Sequence, residues 1–383
     1  MVKISEFQAL IASEEKLKNF SIKSYPEYSH DEIKNELKNN PISYLKILEK
    51  KKRENNFSEI KKRIENFKKK NILIKQKPSI YLYEQSDPNN KFIGFICGVS
   101  TKDYKKGNIK KHENTIRKRE ILFKKYLKKC KIHAEPILLT YKKNEKIENF
   151  IINKSKTKAH YEFETTDNKK HKIWSIDFSK DILTIKRYFE NIKTLYIADG
   201  HHRIASSNAY NESNGLNNPC LAFLVTSNQL NLESFHRVIY ESSENEKKLL
   251  SNIIKENKKI TETKTIFPIE KDEIKIHLNK TWYRLKINNE NLKSSIPVFF
   301  LSDSILKPIL NTRNLQTINR INYIPDSQLK LDETTKENNL IFLMPKIKIE
   351  TIINVANKHQ TMPPKSTYIL PKLRTGLIIM ELK

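Results

Sequence analysis

The run Thr194–Ser207, TLYIADGHHRIASS, constrains this chain more than any other part of it. Leu195, Tyr196, Ile197 and Ala198 suit a short buried strand. Asp199-Gly200 is a turn, and the residues from His201 onward are the small and apolar ones of a helix packed on a sheet. A strand that turns through Gly directly into a helix places titratable side chains beside the first backbone N–H groups of that helix. Those amides lack partners inside the helix, and with the positive end of the dipole they attract anions. Arg203 adds a planar guanidinium suited to phosphate or carboxylate. Phosphate is the first ligand to expect. Adjacent histidines on a helix point about 100° apart, so joint chelation of one metal by His201 and His202 is awkward. Separate roles follow: one imidazole donates to a phosphoryl oxygen or carries a proton, Arg203 clamps the anion, and Asp199 binds Mg2+ or orients a hydroxyl.

Three further constellations could carry chemistry. His112-Glu113, with Thr115 just after, reads as the start of a helix, where the dipole would favour Glu113. His236-Arg237 in SFHRVIY lies among β-branched residues and, taken alone, reads as a strand edge. Met362-Pro363-Pro364-Lys365-Ser366-Thr367, followed by Pro371-Lys372, presents Lys365, Ser366 and Thr367 on a rigid loop suited to gripping an anion or to closing a domain.

Composition bounds the rest. The chain has 383 residues, 37% of them hydrophobic, enough for a sizeable core and for two or three domains or one composite one. Its net charge of +28 would ordinarily suggest nucleic acid. The lysines are spread widely, however, and runs such as Lys50–Arg53 and Lys68–Lys70 stand beside Glu in helix-like stretches, as solvated helix faces do. No clear helix-turn-helix and no aromatic-basic interleaving is present, which disfavours nucleic acid as the main partner. Cys97, Cys130 and Cys220 are isolated and lack zinc or disulfide spacing. No apolar run reaches the length of a membrane span, and Met1 opens onto mixed polar sequence, so a cytoplasmic protein is expected.

Residues 1–75 read as helical, notably His30–Asn39 and Ser43–Asn66. Ser79–Gln85 and FIGFICGVS form a hairpin around Asp87-Pro88-Asn89-Asn90. Further strands are expected at His171–Phe178, Cys220–Thr226, Trp282–Ile287, Val298–Leu301, Ile341–Met344 and Leu377–Leu382. Helices are expected at Ile182–Asn191, Asn245–Glu256, Ser302–Leu310 and Ile349–Asn357. The fold class is α+β.

GNIKKHENT, PILLTY, LYIADGHHRIASS, FHRVI and MPPKSTYILPKLRTGL, in this order and spacing, resemble the bacterial domain of unknown function 1015 family, and MVKISEFQAL and NNPISYLKI resemble its opening. The match runs nearly from end to end. The resemblance implies a ParB/sulfiredoxin-like core with additional mixed α/β elements, related to free-serine kinases, in which a turn like ADGHHR binds nucleotide phosphates. It implies Asp199, Gly200, His201, His202 and Arg203 as the phosphate-site turn and His112, Glu113 and Thr115 as a second motif. It supports roles for His236, Arg237, Lys365, Ser366, Thr367 and Lys372. Two departures stand out: the family's Pro-Tyr-Asp element is Tyr25-Pro26-Glu27-Tyr28-Ser29 here, and its Asp-Arg pair after HENT is Glu120-Ile121.

The expected function is phosphoryl transfer, as kinase or phosphatase, on a small hydroxy-amino acid or its phosphate ester, with serine or phosphoserine favoured. His201, His202, Asp199, Glu113 and His112 would be catalytic. Gly200, Arg203, Thr115, His236, Arg237, Lys365, Ser366, Thr367 and Lys372 would bind phosphate, and Asp199 would hold Mg2+. ATP or ADP would be the nucleotide, and a small phosphorylated metabolite the partner. The alternatives are a ParB-like nucleotide-responsive nucleic-acid-binding protein and an inactive scaffold. The expected organisation is a helical part at 1–75, a core at 76–244 carrying HENT and ADGHHR, and a part at 245–383 contributing the MPPKST loop.

Overall fold

The computed structural model describes residues 1–49, 57–287, 296–315, 318–363 and 365–383. The chain divides into two compact units, Met1–Lys111 with Thr115–Leu230 and Pro371–Lys383, and His112–Asn114 with Asn231–Leu370.

The first unit is organised by a mixed sheet in the spatial order Ile109–Lys110, Leu195–Asp199, Ile137–Tyr141, Cys220–Thr226, Lys91–Val99, Leu73–Ser86, Phe7–Ala12, Ile379–Glu381 and Ile132–His133. Its central strands read as near-continuous apolar runs because both faces are covered. All seven residues of Cys220–Thr226 and all five of Ile137–Tyr141 are buried. The hairpin forms as the turn residues require: the Asp87 carboxylate accepts from the N–H groups of Asn89 and Asn90, both at 2.8 Å. Leu195–Asp199 lies parallel to Ile109–Lys110 and antiparallel to Ile137–Tyr141, with a register irregularity between Ile197 and Asp199. The chain then enters the helix His201–Asn214, which buries His201, Ile204, Ala205, Ser206, Ser207, Tyr210 and Asn211. Pro371–Lys383 returns to this unit, where Gly376 N–H donates to the Ala134 carbonyl at 2.7 Å and Ile379–Glu381 pairs with Phe7–Ala12 and Ile132–His133.

The second unit is built on an antiparallel sheet in the order Ile260–Glu262, Thr281–Lys286, Glu273–Leu278, Leu340–Leu343, Asn231–Ile239 and Ile321–Pro325, with Thr367–Leu370 also pairing with Asn231–Ile239. Val238, Ile341 and Leu343 centre its core. The segment His112–Asn114 is stitched to it. Met362 N–H donates to the His112 carbonyl at 2.7 Å, Glu113 forms a parallel bridge with Met362, and Asn114 Nδ2 donates to Thr361 Oγ1 at 3.0 Å.

The α+β class is observed. His30–Asn39 is helical, with Ser29 and Glu32 closing a capping box. The expected helix Ser43–Asn66 is two helices, Tyr44–Leu48 and Phe57–Lys69, and residues 50–56 of that expectation lie outside the described ones. The helical expectation for 1–75 fails at Ile4–Ser5 and Phe7–Ala12, which are strands of the first unit's sheet, and two further expectations fail. Val298–Leu301 is helical, in a run that starts at Pro297 and continues through a wide turn at Leu301–Leu306 to Ile309. A short apolar run does not distinguish strand from buried helix, and Pro at the first helical position decides it. The helix after HENT starts at Arg117, so Glu113 is extended backbone rather than first-turn helix.

Gly200 is the backbone position on which the site depends. It caps the His201–Asn214 helix with φ +93°, and a Cβ there would lie 2.7 Å from Ile137 Cγ2. Gly200→Ala therefore combines left-handed strain with overpacking against a buried strand, a cost of about 2–4 kcal/mol. Gly215→Ala, at φ +63° with nothing within 4 Å of its Cβ, carries the strain alone, about 1 kcal/mol. Denaturant unfolding of both variants checks the difference; equal losses would refute the packing account.

Candidate functional site

The Asp199-to-Arg203 turn brings together side chains from three separated stretches of the first unit. Arg203, one turn into its helix, donates to Glu135 at 2.7 Å, to the Pro136 carbonyl at 2.8 Å and to Asp199 at 3.2 Å. Its guanidinium thus joins two carboxylates and fixes the loop that leads into Ile137–Tyr141. Thr375 Oγ1 donates to the second oxygen of Glu135 at 3.3 Å, which ties the returning segment to the same cluster.

Electrostatics separate the two carboxylates. Desolvation pushes Asp199 up, but Lys372, Arg203, His201 and the Gly200 N–H together outweigh it and hold the carboxyl at about 2. Nearly half of the Asp199 side chain remains exposed, 47%, so this fixed negative charge faces solvent. Desolvation also pushes Glu135 up, and here Arg203 opposes it without prevailing. Two neighbouring acids thus have displaced affinities for a proton, one ionised at any physiological pH and one raised above the ordinary carboxylate value.

The two histidines have different surroundings, as their angular offset requires. His201 is buried and contributes to keeping Asp199 ionised. His202 Nε2 accepts from Ile116 N–H at 2.9 Å. That bond places the neutral ring's proton on Nδ1 and makes His202 a support for the Thr115–Ile116 backbone, ahead of the Arg117–Cys130 helix. The same helix pair is joined by Ser206, whose hydroxyl donates to the His202 and Glu120 carbonyls.

The other expected residues fall in the second unit. His236 and Arg237 do not occupy a sheet edge, since Asn231–Ile239 is paired on both sides, with Ile321–Pro325 and Leu340–Leu343. His236 is fully buried, accepts from Met344 N–H at 3.0 Å and meets Asp326 through Nε2 at 2.8 Å. Desolvation pushes Asp326 up, but the bonds from His236 and Ser234 N–H bring it below its ordinary value. Arg237 donates to the carbonyls of Phe235 and Lys365. Ser366 turns back to the Pro363 carbonyl at 2.6 Å, and Thr367 begins the strand paired with Ser234. Pro364 lies outside the described residues. Lys372 belongs to the first unit, beside Asp199.

Glu135 carries no local signal in the sequence. It stands in an ordinary loop before a proline, and only the fold shows that this loop meets Arg203. Among the described residues no group of three or more His, Cys, Asp or Glu side chains is placed to hold a metal ion.

Residues 4–313 match the family model described as protein of unknown function (DUF1015). The chain belongs to that family. No curated protein matches it. Among solved structures this DUF1015 member is similar to SbnI with C-terminal truncation from Staphylococcus aureus, at 12% identity and TM-score 0.42, over 72% of this chain and 82% of that one. It is also similar to a free serine kinase mutant in complex with ADP, at 12% identity and TM-score 0.41, over 77% and 94% of the two chains. A free serine kinase in complex with AMP aligns at 14% identity and TM-score 0.39, over 75% and 91%. Among the described residues of the DUF1015 chain no helix is long and apolar enough to cross a membrane.

The Asp199 shift fixes a sign for acid stability. A carboxyl that titrates at about 2 in the folded chain, against an ordinary 3.8, contributes stability that is complete above pH 3.8 and is lost as pH falls through about 2. Glu135 acts oppositely: its raised value contributes stability that is complete below its ordinary 4.5 and is lost as pH rises above that value. Asp199→Asn should flatten the acid arm of the stability curve between those two pH values, measured by denaturant unfolding at stepped pH. An unchanged arm would contradict the assignment.

Proposed function

We propose that the Asp199–Arg203 turn, with Glu135 and Lys372, is a phosphoryl-transfer site acting on a small hydroxy-amino acid or its phosphate ester, with serine or phosphoserine the favoured substrate. The observation that carries this reading is the turn itself. A left-handed Gly200 starts a long helix beside a half-exposed, fully ionised carboxylate and two cations. The first amides of the His201–Asn214 helix and the Lys372 ammonium attract the phosphoryl group. Arg203 holds Asp199 and Glu135 in place. Glu135, with its raised proton affinity, is the better acceptor for a hydroxyl proton, and Asp199 orients the hydroxyl or serves a cation.

A hard, ionised carboxylate suits Mg2+, which is bound through one or two carboxylates with the remaining positions filled by phosphate oxygens and water. Asp199 would hold it, and it would neutralise charge on the transferring phosphoryl group. The phosphate partner would be ATP or ADP, and the core would be ParB/sulfiredoxin-like, as the family resemblance implies. These assignments shift the expected roles. Arg203 positions carboxylates, His202 supports the backbone, and Glu135 joins the acid-base set.

The deciding experiment incubates purified protein with serine plus ATP or ADP, and separately with phosphoserine, while phosphate and product are followed. Turnover in one direction is expected. Glu135→Gln and Lys372→Met should each lower it about 100-fold while the circular dichroism spectrum is retained. No turnover in any arm, together with unaltered ligand binding in Arg203→Ala, would end this reading.

A second reading has one specific observation in its favour. A groove of about 600 Å3 on the first unit is lined by Lys61, Lys62, Lys69, Lys128 and Lys129 against a single acid, Glu65, which is paired with Lys68. Such a concentration of ammonium groups suits a polyanion such as nucleic acid. DNA affinity should then fall steeply with salt, and Lys62→Glu with Lys128→Glu should reduce the slope by about 2. A salt-insensitive affinity, or none, removes this reading and leaves the first intact.

A further inference from the structure

The helix His30–Asn39 buries none of its ten residues. Glu32, Asn35, Glu36 and Asn39 share one of its faces by their spacing, and that face lines a cleft of about 450 Å3 in the first unit. Lys23, Tyr28, Asp167 and Arg374 line the same cleft. Lys23 meets Glu32 at 2.7 Å, and Asp167 meets Lys169 at 3.1 Å and Arg374 at 3.3 Å. Glu36 accepts from the Asn40 amide at 2.8 Å, and among the described residues no cation lies within ion-pairing distance of it. Three acids thus stand with three cations. The cleft is close to neutral in a chain whose net charge is +28.

Both signs of charge are held in place there. Arg374 is 8% exposed, and a guanidinium has five N–H groups. One on Nε goes to Ser21 Oγ at 3.0 Å, one on Nη2 to the Ser21 carbonyl and one on Nη1 to Asp167, which leaves two. Asp167 is fixed from behind by Thr165, whose hydroxyl donates to it at 2.6 Å, and Thr165 in turn meets the buried His171 Nε2 at 3.3 Å. Desolvation pushes Asp167 up, but Thr165, Lys169 and Arg374 outweigh it and hold the carboxyl at about 2. The Tyr28 hydroxyl shows that these groups converge. It is pushed up to about 12, first by desolvation and then by Glu36, with Asp167 acting in the same direction and Arg374 against it. A carboxylate without a counter-ion and a guanidinium with two N–H groups to spare therefore surround one neutral hydroxyl.

We propose that this cleft binds a free α-amino acid with a polar side chain, its carboxylate on the two remaining N–H groups of Arg374 and its ammonium on Glu36. Charge-assisted bonds to a planar fork are the strong ones, and a ligand of both signs leaves neither of these charges uncompensated. Asn35, Asn39 and Thr166 are left to bond the ligand's side chain. A nucleotide or free phosphate would meet three carboxylates here. A metal ion is no better served, since among the described residues no three acids or other ligating side chains are placed together for one. None of these residues belongs to the Asp199–Arg203 turn, and binding in the cleft does not depend on the activity proposed there.

Isothermal titration of the full-length protein tests the idea with glutamine and asparagine as probes. Butyrate and butylamine serve as ligands that keep only the carboxylate or only the ammonium. One saturable site is expected for at least one of the two amino acids, with each single-charge ligand at least about 10-fold weaker. Glu36→Gln keeps the side chain's shape and its bond to Asn40 while removing the charge, and it should weaken amino-acid binding at least about 10-fold. Arg374→Met should do the same. Should Arg374→Met fail to fold, Glu36→Gln decides alone. No saturable binding of either amino acid, binding of butyrate or butylamine as tight as theirs, or binding unchanged in Glu36→Gln overturns the proposal. Turnover at the first site is judged by its own assay in every case.

Discussion

Ile137 occupies the space where any side chain on residue 200 would begin, and the organisation of the first site follows from that contact. The chain must leave the Leu195–Asp199 strand in a left-handed conformation, so the helix starts within one residue of the strand's end. Asp199 is thereby held at the strand terminus, beside the helix's first turn. Arg203, four residues on, reaches back to it. The neighbouring strand that forbids a Cβ at Gly200 also carries, just before it, the Glu135-Pro136 pair that Arg203 binds. One steric constraint thus sets the spacing of two carboxylates and a guanidinium.

The charges of that cluster make sense only as a set. Arg203 is largely buried, and alone it would face the penalty of an uncompensated cation; between Glu135 and Asp199 it is matched, and its own proton is held more tightly. Lys372 arrives from the chain's last stretch, anchored where Gly376 bonds Ala134 and Thr375 bonds Glu135. A segment near the C-terminus therefore completes a site whose core is a strand-helix turn in mid-chain. Long-range closure of this kind orients groups through rigid elements rather than through a flexible loop.

What the sequence shows of this arrangement is what local chemistry encodes. The strand-turn-helix at ADGHHR is legible because Gly, a preceding apolar run and a following helical pattern are neighbours in the chain. The capping box at Ser29 and the hairpin turn at Asp87 are legible for the same reason. Glu135 is not, because its partner Arg203 is 68 positions away and nothing in HAEP announces the meeting. The different surroundings of His201 and His202 are half legible. Helical geometry separates the rings, but only the packing of the Arg117–Cys130 and His201–Asn214 helices shows that one of them accepts a backbone N–H. Val298–Leu301 misleads because apolar periodicity is ambiguous over four residues and tertiary packing chooses the helix.

His236 and Arg237 show the same limit at closer range. They are adjacent in one strand, so they project to opposite faces of the sheet. His236 finds Asp326 and Met344 on its face and becomes a fixed connector between them. Arg237, on the other, finds two carbonyls and a tyrosine ring and keeps its charge. The pair reads as a single motif in the sequence, yet the sheet separates it into a structural residue and an unbalanced cation. The Asn231–Ile239 strand is paired along both edges, so neither side chain can be turned to the other face without breaking two ladders. The unbalanced charge is thus built into the register of the second unit's sheet.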